Sequence, residues 1–191
     1  MKVVAFNGSA RAGGNTSVLI ETAFGPLREA GIECEQVALR GKKLHGCVAC
    51  YKCYENRDNK CAGVADDMNG LIAKFDQADG IIIASPTYFA DVYTEIKALI
   101  DRAGMVGRAN PELTRRKVGA AIVAVRRGGA IHTFDTINHF FFISEMVVPG
   151  STYWNVGIGR EKGEVEGDEE GVRTMRTLGE NMAWLLGKLA G

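Results

Sequence analysis

The chain lacks the features that mark several common binding classes. It has no net charge: 23 basic residues balance 23 acidic ones over 191 positions. Nothing electrostatic therefore points to nucleic acid or an anionic membrane. It lacks long apolar runs. Stretches such as 120–125 fall far short of the roughly 20 residues that span a bilayer. Histidine is scarce, and His45, His132 and His139 are scattered without triad or metal spacing, so they read as local hydrogen-bonding residues. There are no internal repeats and no linker, which predicts one domain over residues 1–191. The sequence enters a strand pattern at once, with no signal peptide ahead of it, and this predicts a cytoplasmic protein. In that compartment cysteines are more often ligands or catalysts than disulfides. Four of the five lie between positions 47 and 61.

What is present alternates between strand and helix. Apolar or β-branched runs at 2–6, 32–39, 80–85, 117–125 and 147–153 read as strands, the last at an edge or bent because of Pro149. Helical patterns fill 18–30, 66–77, 92–103, 131–142 and 172–189. Pro26 is expected to kink or shorten the first of these. In the third, Val92, Ile96, Leu99, Ile100 and Ala103 form the inward stripe, with Glu95, Lys97, Asp101 and Arg102 turned away. The last should bury Met175, Leu178, Met182, Leu185 and Leu189. Residues 161–171, acidic and glycine-rich, read as a surface loop. Five alternating strands predict an α/β fold, a parallel sheet wound on both sides. Its ligands belong beyond the carboxyl ends of the strands.

The first strand–helix loop is Asn7-Gly8-Ser9-Ala10-Arg11-Ala12-Gly13-Gly14-Asn15-Thr16-Ser17. Backbone N–H groups and the helix dipole there converge on an anion site. The nucleotide P-loop is disfavoured because Gly14 stands where it needs Lys, and the dinucleotide fingerprint because position 10 is Ala. A hydroxyl-rich loop with one arginine fits a phosphate monoester such as that of FMN. The bland alternative is a capped glycine turn. After the third strand, Ser85-Pro86-Thr87-Tyr88-Phe89 turns outward, with groups suited to bond and stack on a planar heterocycle. After the fourth, Arg126-Arg127-Gly128-Gly129 permits close backbone approach and offers cations for a flavin or a nicotinamide phosphate.

Together these loops resemble the FMN-binding edge of the flavodoxin-like proteins, in the NADPH-dependent FMN reductase branch. The resemblance covers nearly the whole chain and implies a five-stranded sheet of order 2-1-3-4-5. It implies that Ser9, Arg11, Asn15, Thr16 and Ser17 hold the FMN phosphate. Pro86, Thr87, Tyr88 and Phe89 would line the isoalloxazine, with Gly128 and Gly129 at its pyrimidine side and Arg126 beside it. No side chain is assigned an acid–base role, because the flavin N5 carries the chemistry.

Between the second strand and the next helix, residues 41–63 hold Cys47-x2-Cys50-x2-Cys53-x7-Cys61. Three thiolates in one tight run can hold three corners of a cubane, with the fourth from further away. The spacing is similar to that of the iron-sulfur flavoproteins, which implies a 4Fe-4S cluster on Cys47, Cys50, Cys53 and Cys61. Structural zinc, a redox dithiol and cysteines that bind nothing stay open as alternatives. Cys34 reads as a small core residue. The chain is thus expected to be an FMN-dependent oxidoreductase passing electrons to a small acceptor, with ferredoxin or NAD(P)H as donor. A homodimer or dimer of dimers is implied by the resemblance. The rivals are a cluster-free NAD(P)H-dependent FMN or quinone reductase and a non-catalytic electron carrier.

Overall fold

The computed structural model describes residues 1–190. Five parallel strands, β1 (Lys2–Asn7), β2 (Glu33–Ala38), β3 (Gly80–Pro86), β4 (Val118–Val125) and β5 (Val156–Ile158), form one sheet in the order 2-1-3-4-5. Six α-helices accompany them: α1 (Asn15–Glu29), α2 (Lys52–Asn56), α3 (Met68–Gln77), α4 (Thr94–Ala109), α5 (Ala130–Ile143) and α6 (Glu169–Ala190).

Strand alternation sorts the core onto two faces. Val3, Ala5, Ile82 and Ile122 pack with Leu19, Phe24, Met175 and Met182 of α1 and α6. Val4, Phe6, Ile81 and Ile83 pack on the opposite face with Phe75, Leu99 and Phe141 of α3, α4 and α5. β3 and β4 are covered on both sides, which is why they read as unbroken apolar runs.

Four expectations need correction. The last strand is not at 147–153. Only Val147 pairs there, with Val118; the chain then leaves the sheet through Pro149 and Gly150 and rejoins it at Val156 opposite Val123. Across the gap Asn155 Nδ2 donates to the Ala121 carbonyl at 3.0 Å, which satisfies an edge group that a strand would have paired. Pro26 does not shorten α1, which runs on through it to Glu29, because it sits in the last turn, where the helix ends anyway. Leu189 is exposed, since the sheet ends before the last turn of α6. Most consequentially, Arg102 is not turned to solvent: it is 1% exposed, among the largest fully buried side chains. Within the acidic stretch, a short 3-10 turn (Glu164–Gly167) buries Val165 against Leu19 of the α1 face.

Candidate functional site

Every loop singled out from the sequence leaves the sheet at its carboxyl edge. β1 and β3 are neighbours whose chains continue to opposite sides, so the crevice opens between them. The Gly8 N–H donates to the Ala84 carbonyl at 2.9 Å, tying the first loop to β3. A Cβ at Gly8 would run into the Ile96 side chain, so only glycine lets α4 pack this closely. Gly13 holds φ +58°, and α1 then starts with no side-chain cap; the Ser17 N–H turns back to the Gly14 carbonyl at 2.9 Å, which leaves the Asn15 and Thr16 N–H groups at the helix head for an anion.

The five side chains expected at the phosphate have different surroundings. Ser9 is buried, and its Oγ accepts the Arg11 N–H at 3.2 Å. Thr16 is buried at the head of α1. Ser17 Oγ donates to Gln36 Oε1 at 2.8 Å, towards β2. Asn15 Oδ1 accepts the Gly163 N–H at 2.9 Å, and Arg11 Nη1 donates to the Arg160 carbonyl at 2.8 Å. Asn15 and Arg11 therefore join the first loop to residues 159–163, a fourth loop that follows β5. It also brings Lys162, whose Nζ would lie 3.4 Å from a Cβ at Gly13. That cation was missed in a stretch read as acidic. One further group fits a ligand: Glu95, next to the Ile96 that packs under Gly8, has its Oε2 buried without a partner. The Glu95 carboxylate also pushes the nearby Tyr93 phenol up.

The second and third loops are built against one another. Tyr88 and Asp91 pair in both directions, at 2.9 and 3.0 Å, around Phe89 (φ +48°) and Ala90 (φ +62°), the two left-handed residues of a tight hairpin. Phe89 is fully exposed at the tip, and Tyr88 packs edge-on against Tyr93 at 5.1 Å. Pro86 ends β3, and the Thr87 N–H donates to the Ala124 carbonyl at 2.9 Å. Thr133 Oγ1, in α5, donates to Thr87 Oγ1 at 3.2 Å. Gly129 has φ +87°, and a Cβ there would meet the Ala90 backbone at 3.0 Å. Asp91 Oδ1 accepts Thr136 Oγ1 and the Val92 N–H, both at 2.7 Å. Burial opposes the Asp91 charge, but these donors outweigh it and hold the carboxyl below its ordinary range. Arg126, Arg127 and Gly128 are exposed.

The cysteine loop follows β2, so it also leaves the carboxyl edge. Cys47, Cys50, Cys53 and Cys61 are unpaired thiols and line one small cavity, with Gly63, Arg102 and Met105. Cys53 is buried and Cys61 half-buried, while Cys47 and Cys50 are exposed. Burial pushes the Cys53 thiol up, and neighbouring Cys61 and Cys47 add to it. Ala49, Tyr51, Arg57 and Asn59 all have positive φ, with no glycine among them. Left-handed residues in such a loop turn N–H groups to one side, a feature of anion and iron-sulfur concavities. A Cβ at Gly63 would lie 2.8 Å from Cys50 Sγ, so this glycine makes room for a sulfur. Among the described residues no three His, Cys, Asp or Glu groups are arranged around a single metal ion. A cubane asks for something different, one thiolate per iron around a shared volume.

Arg102 is the residue that sequence reasoning missed. Its guanidinium pairs with Asp66 and donates to Cys61 Sγ at 3.3 Å, the His45 carbonyl at 3.2 Å and the Val64 carbonyl at 3.1 Å. Burial opposes both charges of the pair. The mutual contact prevails, raising the Arg102 pKa and lowering that of Asp66. Removing one partner of so buried a pair costs roughly 3–5 kcal/mol. A groove of about 600 Å³ between α4 and α5 starts at Cys47, Ala49 and Tyr51 and includes Thr136, the residue that holds Asp91. The groove thus joins the cysteine loop to α5, whose Thr136 also bonds the hairpin residue Asp91.

Residues 1–161 match the family model described as NADPH-dependent FMN reductase. An iron-sulfur flavoprotein of Methanocaldococcus jannaschii is 38% identical over 190 residues, 96% of each chain. One of Methanosarcina thermophila is 35% identical over 152 residues, 78% of each. Among solved structures, RosB with bound 8-demethyl-8-formylriboflavin-5′-phosphate superposes with a TM-score of 0.78 at 20% identity, over all of this chain and 80% of that one. The Trp repressor binding protein of Bacillus subtilis gives 0.69 at 21%, over 92% and 98%. These two likenesses bear on the fold, which is flavodoxin-like. The chain belongs to the NADPH-dependent FMN reductase family, alongside relatives named iron-sulfur flavoproteins, and is an FMN-dependent oxidoreductase.

Proposed function

We propose that the chain is an iron-sulfur flavoprotein, with FMN at the crevice between β1 and β3 and a 4Fe-4S cluster on Cys47, Cys50, Cys53 and Cys61. The observation that carries it is the convergence of four free thiols on one cavity wall, in a loop clamped to α4 by a buried arginine. Bound FMN supplies one- and two-electron chemistry at its ring, and a cluster supplies single electrons. The protein's own part is binding and orientation. The uncapped start of α1, Ser9 and the glycines receive the phosphate, with Lys162 and Arg11 as cations at the rim. The Glu95 acceptor is available to a ligand hydroxyl or N–H. Thr87, Tyr88, Gly128 and Gly129 form the wall offered to the ring.

Iron and acid-labile sulfide analysis after anaerobic purification tests the cluster. About four of each per chain is expected, the content of one cubane; a yellow protein free of iron would sink this reading. That outcome would favour the cluster-free NAD(P)H-dependent reductase, for which the exposed Arg126 and Arg127 offer a nicotinamide phosphate site. Anaerobic stopped-flow with NADH and NADPH then identifies the donor by the rate of flavin bleaching. We further propose a homo-oligomer, supported by exposed Phe142, Tyr153 and Trp154 around a groove of about 530 Å³ beside α5. Sedimentation equilibrium at a single-chain mass would overturn it.

A further inference from the structure

We infer that Arg102 is a positioning residue that pre-forms the cysteine loop without metal and makes Cys61 the one thiolate of the four that takes a guanidinium N–H. The first half rests on geometry alone; the second rests on the cluster reading above.

The guanidinium holds both ends of the loop. Nη1 reaches the His45 carbonyl where the loop enters, and Nη2 the Val64 carbonyl where it leaves. Asp66, paired with Nη1, accepts the His45 N–H at 2.9 Å and the Met68 N–H at 3.1 Å, so the outgoing end of the loop is locked to the incoming end and to α3. Nε then reaches Cys61 Sγ at 3.3 Å. The Cys61 backbone is fixed independently by Asn69, whose side chain accepts its N–H at 2.8 Å and donates to its carbonyl at 3.0 Å. Cys61 is thus held at sulfur, nitrogen and oxygen. Cys53 is buried with Sγ directed at the Met105 carbonyl of α4. Cys47 and Cys50 are exposed. The result is two anchored inner sulfurs and two outer sulfurs carried by the left-handed turns of residues 49 and 51.

Two consequences follow. An ordered loop loses less conformational freedom on receiving a ligand than a loose one. An N–H donated to one thiolate withdraws electron density from it and moves a cluster's potential upward.

The test uses the full chain as wild type, Arg102→Met and Arg102→Lys. Lysine keeps the charge but has one nitrogen for four acceptors. In iron-free protein, hydrogen exchange by mass spectrometry should show the amides of residues 43–66 exchanging roughly tenfold faster or more in both variants. In Arg102→Lys, which keeps a cation beside Asp66, peptides from β1, β3 and β4 should stay protected. After anaerobic reconstitution, Arg102→Lys should show a lower midpoint potential than wild type. Wild-type exchange in the loop of both variants would overturn the positioning role, whether or not the protein takes up iron. An unchanged potential in a loosened, iron-loaded Arg102→Lys would overturn the electronic half. Wild type that takes up no iron fails the cluster reading, and loop exchange still decides the positioning role. If Arg102→Met loses sheet protection as well, Arg102→Lys decides the positioning role.

Discussion

Gly128 and Gly129 are adjacent, exposed and identical in composition, yet substitution by alanine should have opposite signatures. At Gly129 the backbone has φ +87°, and a new Cβ would stand 3.0 Å from the Ala90 Cα and 3.4 Å from Thr87 Cγ2. Left-handed backbone costs an L-residue about 1–2 kcal/mol. The contact with Ala90 adds to this because backbone cannot rotate away, so Gly129→Ala should cost about 2–3 kcal/mol in all. That cost falls on the packing of two loops and needs no ligand to appear. At Gly128 nothing lies within 4 Å and φ is unremarkable, so Gly128→Ala should leave apoprotein stability within about 0.5 kcal/mol. If the ring lies against this loop, the same Cβ meets the flavin. Thermal melts of apoprotein and fluorescence titration with FMN separate the two effects. Gly129→Ala should lower Tm by several degrees. FMN affinity should fall by about 10- to 100-fold if the strain is relieved by loosening the loop. Gly128→Ala should lose FMN affinity with an unchanged apoprotein Tm. An unchanged FMN affinity in Gly128→Ala would refute the placement of the ring at this loop. Equal apoprotein stabilities would refute the strain argument.

Asp91→Asn should flatten the acid limb of stability. The native carboxyl titrates below its unfolded value of roughly 3.9, so its contribution is complete above that pH and is lost as pH falls through the native value. Wild type should lose more stability than the variant as pH falls below about 4, and parallel acid melts would refute this. Gly179→Ala places a Cβ against the Ala23 carbonyl where α6 crosses α1. It should cost about 3 kcal/mol, a Tm drop on the order of 10 °C, with FMN affinity preserved once folded. Arg11→Ala should change FMN retention on dialysis by less than about threefold, because an exposed guanidinium held by one carbonyl contributes little. Rapid FMN loss would make Arg11 a principal phosphate ligand.

The sheet was legible because β3 and β4 are buried on both faces and their sequence says so without a partner. β5 was not legible for the converse reason. Val156-Gly157-Ile158 is too short to carry a period, and its place is set by tertiary contact. A Cβ at Gly157 would stand 2.6 Å from Leu19 Cδ2 and 2.7 Å from Val165 Cγ2. The better strand pattern, 147–153, lost because Pro149 and Gly150 break the ladder after one pair. The three loops of the crevice were legible as glycine and hydroxyl signals. The fourth, with Lys162, was not, since its charge matters only through proximity to Gly13, 149 positions earlier in the chain.

Arg102 shows where periodicity stops being informative. Beside Asp101 it has the composition of a solvated helix face, and Lys97 does pair with Asp101 on that face at 2.6 Å. Yet Arg102 lies one turn from Leu99 and one turn from Val106, on the flank of the buried stripe rather than opposite it. A charge on a flank is solvated only if no other segment covers it. Here the covering segment is the cysteine loop, which has no periodicity to announce where it folds. The two puzzles in the sequence, an arginine beside the core and a loop without a pattern, have one answer. Each supplies the contact that the other lacks: the loop has too few apolar residues to pack on its own, and α4 offers it a fixed fork of donors. Asn69 fixes the Cys61 backbone alone, whereas Arg102 reaches both ends of the loop and a cysteine sulfur, which is why Arg102 is the position at which the loop's order should be most easily lost.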